Sequence, residues 1–266
     1  MENILSMARR RMAHRARKRF GQNFLIDHSV IDQILSSIAV QDDDHVVEIG
    51  PGRGALTATL AKKARQLSIV EIDRDLVALL KKQFRDQAVE ILSADALKVD
   101  FAQFGGNIRV VGNLPYNIST PLLFHLARFR FQIIDMHFML QREVVQRMVA
   151  EPGSKTYGRL SVMLQSQFGA VSLFDVSPDA FDPAPKVWSA IVRLTPLHKQ
   201  PDIQDAGQFE RVVTQAFSQR RKTLRNSLRN LLTAEQIEQA GCDPGGRPET
   251  VSVAQFACLS NLIIEQ

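Results

Sequence analysis

Short runs of β-branched and apolar residues alternate along this chain with stretches in which apolar positions recur every three or four residues. Val46-Val47-Glu48-Ile49, Leu67-Ser68-Ile69-Val70, Val89-Glu90-Ile91-Leu92, Ile108-Arg109-Val110-Val111 and Met136-His137-Phe138-Met139-Leu140 have the length and composition of buried strands. Val30, Ile31, Ile34, Leu35 and Ile38 share one helical face, Ala55 to Leu60 opens a second helix, and Ser119 to Phe124 opens a third. Residues 142–150 and 159–167 read as two further helices. Ala170 to Val176 and the alternating Ala190-Ile191-Val192-Arg193-Leu194 read as the last two strands of the same sheet. Strands and helices in this order predict an α/β fold with an open sheet.

Beyond the linker Pro196-Leu197-His198-Lys199-Gln200-Pro201 the pattern is helical throughout. It predicts a helix at 209–217, a basic helix running through Leu232, and two shorter helices. Thr233-x-x-Gln236 and Ser252-x-x-Gln255 introduce those two with the form of capping boxes. The expected organisation is a basic arm over 1–19, a ligand-binding domain over 20–195, and a small all-helical domain over 202–266. Arg220, Arg221, Lys222, Arg225 and Arg229 put a positive stripe on the basic helix. Few acidic residues lie within it to pair, which points to RNA phosphates over a merely solvated face.

Composition narrows this picture modestly. Hydrophobic residues at 45% and charged residues at 23% are ordinary for a soluble globular protein, and the net charge of +5 suits a polyanionic partner. Arg9, Arg10, Arg11, Arg15, Arg17, Lys18 and Arg19 form a run with no acidic residue between Glu2 and Asp27. That arm reads about equally as a phosphate contact on one side and as a solvated disordered tail or organelle transit sequence on the other. No apolar core follows it as in a secretory signal, and no stretch is long enough to span a membrane. Cys242 and Cys258 form no zinc spacing or disulfide framework, which suits a reducing, cytosol-like compartment. The six histidines are scattered, so no metal is expected.

The chemistry-bearing residues fall where strands end, the edge at which open α/β sheets bind ligands. Gly50-Pro51-Gly52-Arg53-Gly54 follows the first long strand, and glycines there let the backbone approach a nucleoside closely. Glu71 ends the next strand about 20 residues further on, the separation at which a carboxylate meets ribose hydroxyls. A dinucleotide is one candidate ligand, but the turn is Gly-x-Gly-x-Gly, and Glu48 two residues before it would repel a pyrophosphate. A nucleoside carrying a positive sulfonium, S-adenosylmethionine, fits better. Asp95, after the third strand, can accept from an adenine amine or simply cap a helix.

Gly112-Asn113-Leu114-Pro115-Tyr116-Asn117 follows the fourth strand. An amide oxygen, a rigid backbone carbonyl and an aromatic ring suit a planar amino-bearing base, although the same residues are common in plain turns. Gln22 and Asn23 can cap the first helix or line a pocket floor, and the residues alone favour capping. In the stiff loop Ser177 to Val187, Phe181 is either a core anchor or an exposed stacking face, and the sequence alone favours the anchor.

Together these stretches resemble the ribosomal RNA adenine N6,N6-dimethyltransferase family. The resemblance rests on Phe20-Gly21-Gln22-Asn23-Phe24-Leu25, Glu48-Ile49-Gly50-Pro51-Gly52-x-Gly54, Glu71-Ile72-Asp73, Asp95, Gly112 to Thr120, and Pro183-x-Pro185-Lys186-Val187-x-Ser189, in the family's order. Leu114 and Gln219 to Asn226 are similar to the small-subunit branch rather than to its relatives that modify large-subunit RNA. The resemblance implies a Rossmann-like class I methyltransferase sheet with a small helical RNA-binding domain. It also implies dimethylation of two adjacent adenosines near the 3′ end of 16S RNA in a small subunit under assembly, by a cytoplasmic monomer. It places Gln22, Asn23 and Leu25 on the methionine end of S-adenosylmethionine, Gly50 and Gly52 along its backbone path, Glu71 on the ribose and Asp95 on the adenine. Asn113 and Leu114 would accept from the target amine, with Tyr116 and Phe181 stacking on the base. An RNA-binding factor without chemistry and a nicotinamide-dependent oxidoreductase are the competing readings.

Overall fold

The structure, a computed structural model, describes residues 22–219 and 221–263. The basic arm, Phe20, Gly21 and Arg220 lie outside the described residues. The chain divides into two compact units, Met1–Arg142 with Leu173–Arg193, and Glu143–Ser172 with Leu194–Gln266.

The β-branched runs become strands because residues such as Val46, Val47, Ile69, Val110 and Val111 are buried on both faces, as parallel strands covered by helices require. In chain order the elements are β1 (Phe24–Leu25), α1 (His28–Ile38), β2 (His45–Ile49), α2 (Thr57–Lys63), β3 (Gln66–Glu71), α3 (Arg74–Gln83), β4 (Val89–Ser93), β5 (Ile108–Asn113), α4 (Ser119–Ala127) and β6 (Ile133–Gln141). They continue as α5 (Arg142–Met148), α6 (Arg159–Gln165), β7 (Phe168–Val176), β8 (Phe181–Asp182) and β9 (Ser189–Pro196). The seven-stranded sheet has the order β4-β3-β2-β5-β6-β9-β7. Strands β2, β3, β4, β5 and β6 pair in parallel. The chain winds from β2 outward to β4, then returns to place β5 on the other side of β2. That reversal opens a crevice at the carboxyl ends of β2 and β5.

Helix α1 turns Ile31, Ile34, Leu35 and Ile38 inward. Asp27 starts it, its carboxylate accepting from the Ser29 and Val30 N–H groups; such caps contribute about 0.5–2 kcal/mol. Arg109 is a buried charge within β5. Asp135 and Asp44 pair with it at 2.7 and 2.8 Å, and the carbonyls of Ile38 and Ala39 accept its remaining donors.

In the second unit α7 (Ala206–Phe217) buries Phe209, Val212, Val213 and Ala216 against Leu224, Ile237, Phe256 and Leu259. Tyr157 and Val162 join this cluster, and the Tyr157 hydroxyl donates to the Val251 carbonyl at 3.0 Å. By compactness residues 143–172 fall in the same unit as the carboxyl-terminal helices, while residues 168–172 are also part of sheet strand β7. Both capping boxes form, opening α9 (Ala234–Gln239) and α10 (Val253–Asn261).

The long basic helix expected through Leu232 does not form. Its helical part is α8 (Leu224–Leu228), with Arg221 and Lys222 in the preceding turn and Arg229 at its carboxyl cap. The Leu224 and Arg225 N–H groups donate to Gly246 and Pro244 carbonyls, so the first amides of α8 are held by a loop and not by a preceding helical turn. The basic residues consequently follow a turn and one short helix, without a continuous helical stripe.

Candidate functional site

Strand β2 ends in a turn whose Gly50 and Gly52 have φ of 66° and 60°, a region costly for side chains with a Cβ. Gly112 serves the close approach of β5 to β2, since a Cβ there would strike the Ile49 carbonyl oxygen. These backbone features bring the ends of β2, β3 and β5 around a cavity of about 300 Å³.

Two buried carboxylates border it. Glu48 accepts a 2.6 Å hydrogen bond from the Thr57 hydroxyl, and Glu71 accepts the Asp73 N–H at 2.8 Å. Burial pushes Glu48 up to about 7; the Thr57 hydrogen bond opposes this and neighbouring Glu71 adds to it. Burial likewise raises Glu71 to about 7 against the hydrogen bond from Asp73. Such a pair is costly to ionise without a cation, so the site is electrostatically suited to a positively charged ligand.

Asp95 lines the same cavity and caps the single turn that follows, its Oδ1 accepting from the Leu97 N–H at 3.1 Å. Both sequence readings of this residue, cap and pocket wall, coexist. Gln22 and Asn23 also line the cavity, while Asp27 supplies the cap of α1 that the residues alone had favoured for them. Gln22 Nε2 donates to Asp73 Oδ2 at 3.1 Å, and the Asn23 carbonyl accepts from Asn113 Nδ2 at 3.1 Å. The latter bond fixes the amide, because a flipped Asn113 would set its oxygen against a carbonyl oxygen. Leu114 donates its N–H to Met139, and its carbonyl has no hydrogen-bond partner among the described residues.

The Tyr116 hydroxyl and the buried Ser189 hydroxyl share a 2.8 Å hydrogen bond, which anchors the ring at its far end. Burial raises the Tyr116 phenol above its usual range, with the Ser189 contact opposing it. Phe181 is 4% exposed; it pairs across β8 with Leu25 of β1 and sits in the apolar core with Ile34 and Val176. It is thus a core anchor, and the exposed stacking face inferred from the family resemblance is not present in this structure. Leu25, its neighbour, does line the cavity.

Of the sequence candidates, Gln22, Asn23, Leu25, Gly50, Gly52, Glu71, Asp95, Asn113, Leu114 and Tyr116 are brought to one cavity. Arg221, Lys222, Arg225 and Arg229 are exposed in the second unit. Thr57 was given no role of its own in the sequence, and Asp73 stood in a recognised motif without one; the structure sets Thr57 on Glu48 and Asp73 between Glu71 and Gln22. Ser189 stood within a recognised motif but carried no role of its own. Among the described residues, no cluster of His, Cys, Asp or Glu could hold a metal, and no helix is long and apolar enough to cross a membrane.

The sequence profile of the ribosomal RNA adenine dimethylase family matches residues 13–265. Ribosomal RNA small subunit methyltransferase A of Aromatoleum aromaticum is 55% identical over 251 residues, spanning 94% of this chain and 95% of that protein. The protein of the same name from Bordetella avium is 55% identical over 252 residues, spanning 94% and 96%. Among solved structures, the 23S rRNA methyltransferase ErmE is 27% identical with a TM-score of 0.73, covering 91% of this chain and 99% of that one. A dimethyladenosine transferase from Plasmodium falciparum shares the fold with a TM-score of 0.75 and 24% identity, covering 89% and 95%.

Proposed function

This chain belongs to the ribosomal RNA adenine dimethylase family and is an rRNA adenine dimethyltransferase, and from that premise we propose that it uses S-adenosylmethionine to dimethylate two adjacent adenosines near the 3′ end of 16S RNA. Its substrate is a small subunit under assembly, and it acts as a cytoplasmic monomer. The observation that carries this reading is the fixed Asn113 amide. With its NH₂ group committed to Asn23, the acceptor oxygen and the neighbouring Leu114 carbonyl are available to an amine at the cavity that Glu48 and Glu71 border.

The residues present fit the methyl donor. Glu71 accepts from its ribose hydroxyls, Asp95 from its adenine amine, and Gln22, Asn23 and Leu25 wrap its methionine end. Gly50 and Gly52 clear its backbone path, and Glu48 complements its positive charge. When bound, it supplies an electrophilic methyl group and is left as neutral S-adenosylhomocysteine.

Asn113 and the Leu114 carbonyl accept hydrogen bonds from the adenine N6 amine and so turn its lone pair, otherwise delocalised into the ring, toward the methyl carbon. Positioning of this kind is a large catalytic factor. Tyr116, held by Ser189, stacks on the base, which the RNA presents flipped or unstacked. Phe181 supports this wall through Leu25. The amine becomes acidic once methylated, so its proton passes to solvent or a carbonyl without a dedicated base. In the carboxyl-terminal unit Arg221, Lys222, Arg225 and Arg229, with Arg220, contact RNA phosphates, and binding accordingly weakens with salt.

The test is incubation with labelled S-adenosylmethionine and undermethylated small subunits. Label recovered as N6,N6-dimethyladenosine supports the proposal; subunits that bind the protein yet acquire no methyl group contradict it.

A further inference from the structure

The motif Pro183 to Ser189 contains one large aromatic residue that does not line the cavity. Trp188, the sole tryptophan of the chain, is 48% exposed, and the adjoining Val187 is exposed as well. An indole left in water forgoes its burial energy, so its position matters. Its carbonyl and the side chain of the following residue are both held. The Trp188 carbonyl accepts from the Arg142 N–H at 2.9 Å, and the next residue, Ser189, holds the Tyr116 hydroxyl. Arg142 directly follows β6, whose Met139 is in register with Asn113. Trp188 therefore stands at the same carboxyl edge as the base-binding hexapeptide, and consecutive Cα atoms are only about 3.8 Å apart. The Arg142 guanidinium lies 5.8 Å from the indole centroid and pairs with Asp175 at 3.3 Å, and Lys186 is two residues away.

We infer that Trp188, with Arg142 beside it, forms a second nucleobase subsite that stacks the nucleotide adjoining the target adenosine. Drawing one base out of a stack strips its neighbour of a partner, and an exposed indole with the Arg142 guanidinium beside it offers a replacement face with charge for the phosphate. The subsite rests on the proposed function, since it needs RNA in the main cavity.

A single tryptophan makes the test direct. Its emission is followed in the full-length protein on titration with single-stranded oligoadenylate, and with polyphosphate as a charge control. Methyl transfer to undermethylated small subunits is measured in parallel for Trp188→Ala and Trp188→Phe. Oligoadenylate is expected to quench the emission and polyphosphate to leave it unchanged. Trp188→Ala is expected to raise KM for the subunit roughly 5- to 150-fold at unchanged kcat, the range that ~1–3 kcal/mol of stacking converts to. Trp188→Phe should recover most of that loss. Emission indifferent to oligoadenylate, equal quenching by polyphosphate, or a wild-type KM in Trp188→Ala would overturn the subsite. A wild-type protein that methylates no subunits would instead defeat the proposed function and leave no RNA site to extend.

Discussion

The side-chain amide of Asn113 donates to the backbone carbonyl of Asn23 at 3.1 Å, tying the end of β5 to the residue that precedes β1. One contact thus orients the residue that would hold the target amine and joins it to a wall of the cavity. Asn113→Ala should bind S-adenosylmethionine with nearly unchanged affinity and transfer methyl groups on the order of 10²-fold more slowly, as misplacement of a reacting group can. Single-turnover kinetics beside calorimetric binding separates the two effects. Wild-type turnover in the variant would remove Asn113 from the reaction.

Glu71 ends β3 with its carboxylate buried at the cavity. Glu71→Ala should weaken S-adenosylmethionine binding by roughly 1.5–3 kcal/mol, the range for hydrogen bonds to a charged group. Titration calorimetry that finds equal affinity would refute the assignment of this carboxylate to the ribose.

Glu48 makes the stability of the ligand-free protein depend on pH. Its pKa is about 7 when folded and 4.5 when unperturbed, so between these values the folded state holds the extra proton. The stabilisation is fully present below pH 4.5 and is lost as pH rises through 7, up to about 3 kcal/mol for such a shift. Glu71 shifts in the same direction, so Glu48→Gln should reduce the fall in stability between pH 5 and 8 by about half and not abolish it. Urea denaturation across that interval reads the slope, and an identical slope in the variant would show that Glu48 does not titrate there.

Much of the fold was legible because burial on both faces of a parallel sheet leaves uninterrupted β-branched runs, as at Val46 to Ile49 and Ile108 to Val111. The glycine turn, Glu71, Asp95 and the Asn113 segment were legible for a related reason: each lies at or just beyond the carboxyl end of a strand. What the sequence hid was long-range. Nothing near Ser189 indicates that it meets Tyr116, and nothing near Arg109 announces partners at Asp44 and Asp135. The basic segment misled because its charge spacing suits a helix, whereas the amides that open α8 are taken by Gly246 and Pro244. Phe181 divided the two kinds of inference: the residue pattern favoured the buried anchor that is observed, and the family resemblance suggested a stacking face.

Gly112 offers a test of the strand packing beneath the site. A methyl group at this position would collide with the Ile49 carbonyl and crowd Leu114 at 3.2 Å. Gly112→Ala should destabilise the protein by about 1–3 kcal/mol, as overpacking does, measured as a lower denaturation midpoint. An unchanged midpoint would mean that β2 and β5 approach less closely than described.

The central claim, that this cavity delivers methyl groups to small-subunit adenosines, is tested most directly by labelled methyl transfer to undermethylated small and large subunits side by side, followed by mass mapping of the modified nucleosides. The expected product is N6,N6-dimethyladenosine at two adjacent positions near the 3′ end of the small-subunit RNA and none in the large subunit. Methylation confined to the large-subunit RNA, or binding to either subunit without incorporation, would contradict it.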